Sequence, residues 1–354
     1  MDDRVSVTTS RIGFVQLLQY DKMNHLQKKS LVTKRSFTYT YYTSEKNEQN
    51  SSKPVLFFIH GFPDSAHLWS NVVDQLSDIP YRVIAPDTLG YGGTSKPLDV
   101  EKYNYRDMTN DLEEILQAED VQKVIVVGHD WGSILAQRFY FFHPEYVIGI
   151  ILLNVAYRPP QEGRFDLTTM NNVTEKTFGY PLFAYWEFFT ADDAPKIAGE
   201  NLDKFWEALH GDEPEWMKKI FCVRGAVRKY LLGNERVSLK PYAKEAKWKA
   251  DFMQRFQKDT FEAPFNYYKA TVNNVQSKSD ADIPKELYKV QLPMLYIGCT
   301  GDAVCRSDAI EGPKKAGLLP DVEVQTITSD HWVPMEKPEE VAQHIRSFVT
   351  RRFP

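Results

Sequence analysis

VVGHDWGS, residues Val126 to Ser133, follows a β-branched run at Val124–Val127 and leads into SILAQRFYFF, a stretch that suits a helix. A strand turning sharply into a helix, with a glycine two residues to either side of the turn's centre, has the layout of a nucleophile elbow, written G-x-S-x-G. Gly128 and Gly132 are those glycines, at positions where a side chain would strike the neighbouring strand or helix. The centre holds Asp130 in place of serine. Aspartate is also a favoured helix N-cap, so a purely structural reading competes until partners for a nucleophile are found.

Outward from the elbow, the chain alternates short apolar runs with helical stretches. SFTYTYYTSE (Ser36 to Glu45) alternates like an early strand, and PVLFFIHG, YRVIAPD, KVIVVGHD, VIGIILLNVA, MLYIGCTGD and VEVQTITSDH supply six more. Most are continuous aliphatic runs, as expected of a mainly parallel sheet with helices on both faces. From Ala156 to about Leu287 the pattern changes to aromatic and charged residues at helical spacing, as in LFAYWEFF, LDKFWEALH and AKWKADFMQRF. This predicts an α/β core at 35–156 and 288–354, an inserted helical cap at 157–287, and an N-terminal extension at 1–34, partly helical from Gly13 to Lys28. Most rings of the insertion are expected in its own core, with some lining a pocket.

Composition narrows the function. Forty-three basic and 48 acidic residues give a net charge of -5 without long single-sign blocks, which excludes the electrostatic footprint of a nucleic-acid binder. The longest strongly apolar run, Val147 to Ala156, falls far short of the roughly 20 residues that span a bilayer. The opening MDDRVSVTTSRIGFVQLLQYDK lacks a continuous apolar signal core, so a cytoplasmic protein is expected. Cys222, Cys299 and Cys305 match no metal spacing and predict free thiols. Asn50 and Asn172 head N-x-S/T triplets that read as chance matches. The expected partner is a small molecule, with no cofactor and no metal.

A nucleophile needs a base and the base an orienting acid, in the chain order nucleophile, acid, histidine. His331 closes the last predicted strand in SDHWVPMEKPEE, and Asp302 follows MLYIGCTG at another strand's carboxyl end. Asp308 competes for the acid role; the strand-end position favours Asp302. HGFPDS contributes the fourth part, since His60 and Gly61 lead from LFFI to Phe62, whose N–H can face the same space as that of Trp131. Two such amides make an oxyanion hole. Pro63 helps fix the amide's direction, and a cis bond is one way to do so. The glycines of DTLGYGGTSKP (Asp87 to Pro97) match no phosphate fingerprint and read as a loop.

The aspartate itself selects the electrophile. A serine attacking saturated carbon would end as an ether and stop after one turnover. A carboxylate is anionic at neutral pH and forms an alkyl ester, whose carbonyl can be attacked by water activated by His331. Epoxides and carbon–halogen bonds are the electrophiles that fit.

Through HGFPDS, GHDWGS, the Asp302 loop and DHW, the chain resembles epoxide hydrolases of the α/β-hydrolase fold over nearly its whole length after the extension. The resemblance implies water and an epoxide, apolar or aromatic, as substrates and a vicinal diol as product. It also implies two cap tyrosines that protonate the opening oxygen, matching Tyr185 in PLFAYWEFF and Tyr268 in FNYYKA rather than their neighbours Tyr180 and Tyr267. Haloalkane dehalogenases share the aspartate elbow and following tryptophan, but often carry Asn where this chain has Phe62. Fluoroacetate dehalogenases follow the nucleophile with Arg where Trp131 stands. A non-hydrolytic small-ligand-binding member of the fold is the remaining alternative.

Overall fold

The computed structural model describes Met23 and residues 25–354. Eight strands form one sheet in the order β1-β2-β4-β3-β5-β6-β7-β8. They are β1 (Gln27–Val32), β2 (Thr38–Thr43), β3 (Val55–Ile59), β4 (Val83–Pro86), β5 (Val124–His129), β6 (Val147–Leu153), β7 (Met294–Cys299) and β8 (Val322–Ile327). The first two run antiparallel to their neighbours and β3 to β8 are parallel. Helices cover both faces. On one side Tyr105–Ala118 and Trp131–Phe142 pack together, the latter against β3, β5 and β6; Ser70–Gln75 and Pro338–Arg352 pair on the other.

Every strand expected from the apolar runs is present, and β1 is an addition. It lies inside the segment set apart as an N-terminal extension, and all six of its residues pair with β2. QKKSLV was missed because an edge strand with mostly exposed side chains shows little apolar signal. The helix expected from Gly13 to Lys28 falls mostly outside the described residues, but its end is corrected: Gln27 and Lys28 belong to β1.

Between β6 and β7 the chain is helical, from Leu167–Phe178 to Val275–Asp280, and forms the inserted cap. Its rings divide as composition suggests. Phe205, Phe252, Phe256 and Phe261 pack on one another as cap core, whereas Tyr185, Phe189, Phe221 and Tyr268 line a cavity facing the sheet. Cap and core are tied by Arg255, whose Nη1 donates to the Pro63 carbonyl at 2.6 Å, and by Lys240, 2.7 Å from Asp330.

Register sets the site. Ile59 pairs with Gly128, His129 with Leu153 and Leu153 with Ile297, so β3, β5, β6 and β7 end side by side at one edge. A Cβ built on Gly132 would lie 1.9 Å from the Ile59 carbonyl oxygen, and one on Gly128 2.4 Å from that of Gly132. These obstacles are backbone and cannot swing aside. Gly132→Ala should therefore destabilise the fold by about 3 kcal/mol, the upper end for overpacking, read as a lower urea midpoint at unchanged m-value.

Candidate active site

Asp130 stands between β5 and the helix Trp131–Phe142 at φ 55° and ψ −124°. A non-glycine residue there stores strain of order 1–3 kcal/mol, sustained by the packing around it. Its side chain makes no capping bond to the helix, which removes the purely structural reading. Instead Oδ1 accepts from the Phe62 amide at 2.8 Å, and the neighbouring Trp131 amide helps to hold the carboxyl's pKa down. Of the two expected donors, Phe62 bonds the carboxylate and Trp131 is the residue next to it on the helix.

Behind that hole, HGFP acts as a brace. The Phe62–Pro63 peptide is cis. His60 is buried, and burial lowers its pKa to about 4, so the ring is neutral. Its Nε2 accepts from the Thr88 amide at 3.0 Å, which leaves Nδ1 to donate to the Gly61 carbonyl at 2.9 Å. Gly61 is needed for close approach: a Cβ there would sit 2.3 Å from Asp130 Oδ1.

His331 lies between two carboxylates. Its Nδ1 is 2.7 Å from Asp302 Oδ2 and its Nε2 is 3.5 Å from Asp130 Oδ2. Burial alone would lower the imidazole's pKa, but the charge of Asp302 and the bonds to both carboxylates outweigh it and hold it well above the ordinary histidine value. The same charges act in reverse on the acids. Burial would raise Asp130 and Asp302, and His331 keeps both below the ordinary carboxylate range. Asp302 is held in turn by the amides of Val304 and Cys305 on Oδ1, at 3.0 and 2.8 Å. Asp308 pairs with Arg306 at 2.6 Å and has no contact with His331.

Three contributors escaped the sequence reading. Asn154, at φ 63° just past β6, donates from Nδ2 to Asp302 Oδ2 at 2.8 Å, the oxygen that also meets His331. Its signal was a lone polar residue ending VIGIILL, at the edge where Asp302 was sought. His129, neutral because burial and the charge of His331 lower its pKa to about 4, donates from Nε2 to the His331 carbonyl at 2.8 Å. Asp64, raised by burial to about 7, accepts from the Trp332 indole at 3.2 Å.

Tyr185 and Tyr268 share a cavity of about 30 Å³ with Asp130, Phe62, His331 and Trp332. Their rings are 5.9 Å apart. Burial raises both phenols well above the ordinary tyrosine value, reinforced for Tyr185 by Cys305 and Asp130 and for Tyr268 by Tyr185 and Asp130. Both remain O–H donors at neutral pH. The neighbours differ: Tyr267 donates its hydroxyl to the Leu89 carbonyl, and Tyr180 bonds Ala303 and Arg306. A second cavity that also borders Asp130, again about 30 Å³, is lined by Trp131, Val155, Phe183 and Trp186. It shares these walls with an open groove of about 850 Å³.

A family model described as alpha/beta hydrolase fold matches residues 54–338. The chain belongs to this family. It is 27% identical over 320 residues to Epoxide hydrolase 1 of Caenorhabditis elegans, covering 85% of this chain and 66% of that one. Epoxide hydrolase A of Mycobacterium tuberculosis is 26% identical over 311 residues, covering 84% and 90%. The chain spans only 51% of Bifunctional epoxide hydrolase 2 of Rattus norvegicus, at 24% identity over 302 residues and 82% of this chain. The crystal structure of Epoxide Hydrolase A from Mycobacterium thermoresistibile superposes with a TM-score of 0.73 at 21% identity, over 92% of this chain and 98% of that one. That likeness concerns the fold.

Both candidate acids can be tested by their separate effects on the two halves of a nucleophile–ester cycle. Asp302→Asn should leave a first-turnover burst and slow the later step by about 10⁴-fold, as loss of an orienting aspartate does in a hydrolytic triad. Asp308→Asn should match the wild type in both phases. Asn154→Ala should slow the later step alone, with single-turnover and steady-state rates measured side by side.

Proposed function

We propose that the chain is an epoxide hydrolase that converts an apolar or aromatic epoxide to a vicinal diol through a covalent ester on Asp130. One observation carries this reading: two phenols, Tyr268 buried and Tyr185 half-buried, both O–H donors, share a cavity with an anionic carboxylate that accepts from the Phe62 amide. Displacement of a halide needs no phenolic proton, whereas an opening epoxide leaves an alkoxide that does. The names of the curated relatives point the same way.

In the first step an Asp130 oxygen bonds to one epoxide carbon. The carbon–oxygen bond of the ring breaks and Tyr185 or Tyr268 gives its proton to the departing oxygen. Asp130 has then lost its charge. One of the carboxylates that hold the proton on His331 is gone, so the imidazole's pKa falls and it can release that proton to the tyrosinate. His331, now neutral and oriented by Asp302, takes a proton from water as the water attacks the ester carbonyl. The oxyanion that forms there faces the amides of Phe62 and Trp131, each such donor contributing about 2.7 to 4 kcal/mol. As the intermediate collapses the ester carbon–oxygen bond breaks, the departing alkoxide takes the proton of the added hydroxyl, and Asp130 returns as a carboxylate with the diol freed and His331 protonated.

Two small cavities border Asp130, and the open groove that shares walls with one of them has the room for the larger part of a substrate. The cap that closes over them is taken as 157–287 on the core 35–156 and 288–354. Among the described residues no helix is long and apolar enough to cross a membrane. Cys222, Cys299 and Cys305 are unpaired, which supports a reducing, cytoplasmic setting.

Two experiments separate the steps. Tyr185→Phe and Tyr268→Phe should each slow alkylation of Asp130, and the double variant should nearly abolish it with the fold retained, by quench-flow mass spectrometry. Normal alkylation in the double variant would remove both from the chemistry. His331→Gln should accumulate an adduct equal in mass to the intact epoxide on the peptide containing Asp130. In heavy-oxygen water, one turnover of the wild type should label Asp130 and leave the first diol unlabelled. Heavy oxygen in that first diol, with no adduct in the His331 variant, would make Asp130 a general base instead.

A further inference from the structure

Cys305 has no chemical part in the proposed reaction, yet its thiol stands beside the acid and the base. It lies in the turn whose amides hold Asp302, and its sulfur, a ring nitrogen of His331 and a carboxylate oxygen of Asp302 are all within 4.8 Å of one another. The three residues are buried. Cys305 also lines both the small cavity beside Asp130 and the open groove, so an ion in the groove has a path to it.

Sulfur, imidazole nitrogen and carboxylate oxygen are the donors of a three-ligand zinc site, with water in the fourth position. Tetrahedral coordination at ordinary zinc–ligand lengths spaces such donors roughly 3.5 Å apart. Asp302 and His331 already touch at 2.7 Å and have to open slightly to admit an ion, while the Cys305 sulfur lies within 4.8 Å of both, so small side-chain rotations suffice. A Cys222 or Cys299 thiol belongs to no comparable group among the described residues.

We propose that Asp302, Cys305 and His331 form an inhibitory site for a thiophilic divalent cation, with zinc as the reference ion. Binding releases the thiol proton of Cys305 and the imidazole proton of His331 to solvent, and no electron is transferred. The mode of inhibition rests on the reaction proposed above. Zinc takes the acid and base of ester hydrolysis and leaves Asp130, Tyr185 and Tyr268 free, so ring opening continues and the second step stops. Steady turnover becomes a single burst.

The test uses the full chain, zinc or cobalt ion as probe, and an aryl epoxide. Equilibrium dialysis without substrate should find one zinc per chain, and cobalt should give a thiolate-to-metal charge-transfer band in the near ultraviolet. Cys305→Ala should lose the band and weaken zinc binding by more than about 100-fold, beyond what loss of an outer partner costs a metal site. Cys222→Ala should keep both. With zinc bound, the wild type should accumulate about one alkyl adduct per chain while steady turnover falls at least about 10-fold, and a chelator should restore it. Unchanged zinc affinity in Cys305→Ala, or inhibition with no adduct in a protein that turns over epoxide without metal, would overturn the site. Should the protein open no epoxide at all, the dialysis and the cobalt band still decide whether the ion binds, while the reading of the reaction fails separately.

Discussion

Everything at this site depends on holding a carboxylate in a backbone conformation that aspartate does not favour. At φ 55°, Asp130 is lifted clear of the sheet, and only close contact between β3, β5 and the helix after the elbow keeps it there. Gly128 and Gly132 allow that contact because neither has a Cβ to oppose it. Were the turn to relax, the carboxylate would leave the amides of Phe62 and Trp131 and drop out of reach of His331. The strain is a small fraction of what the packed sheet supplies.

A second dependence is electrostatic. Three ionisable side chains stand in a row, His331 and Asp302 buried and Asp130 nearly so, and desolvation alone would drive each toward its neutral form. Together they reverse that tendency, with both acids held low and the imidazole held high. Such a row is sensitive to the loss of any one charge. The proposed cycle uses that sensitivity, since alkylation of Asp130 is itself the event that loosens the proton on His331. Asn154, His129 and the turn amides around Asp302 keep the row aligned without adding charge. The proposed metal site exploits the same crowding, because donors gathered for proton transfer are also donors within reach of a cation.

The cap plays a different part. It brings two phenols over the carboxylate, and their desolvation raises pKa values that already leave them protonated at neutral pH. Its aromatic richness serves both packing and lining. Phe261 stacks on Phe256 inside the cap, while Phe189 reaches the cavity wall.

The sequence by itself determined the parts that depend on short-range pattern. Continuous apolar runs specify buried parallel strands, paired glycines specify a turn with no room for side chains, and an aspartate at that turn is the basis for proposing displacement at saturated carbon. Asp302 and His331 were legible because residues at the carboxyl ends of parallel strands must meet at one edge. Tertiary structure alone decided what depends on register and burial. QKKSLV becomes a strand only because β2 offers it an edge, and Asn154 reaches Asp302 only because β6 lies beside β7 in the right register. Tyr268 was told from Tyr267 in FNYYKA only by the resemblance, and it is the fold that sends one hydroxyl to the Leu89 carbonyl and puts the other residue in the cavity wall. Protonation states belong to this second group as well, because a pKa is set by neighbours that sequence distance does not reveal.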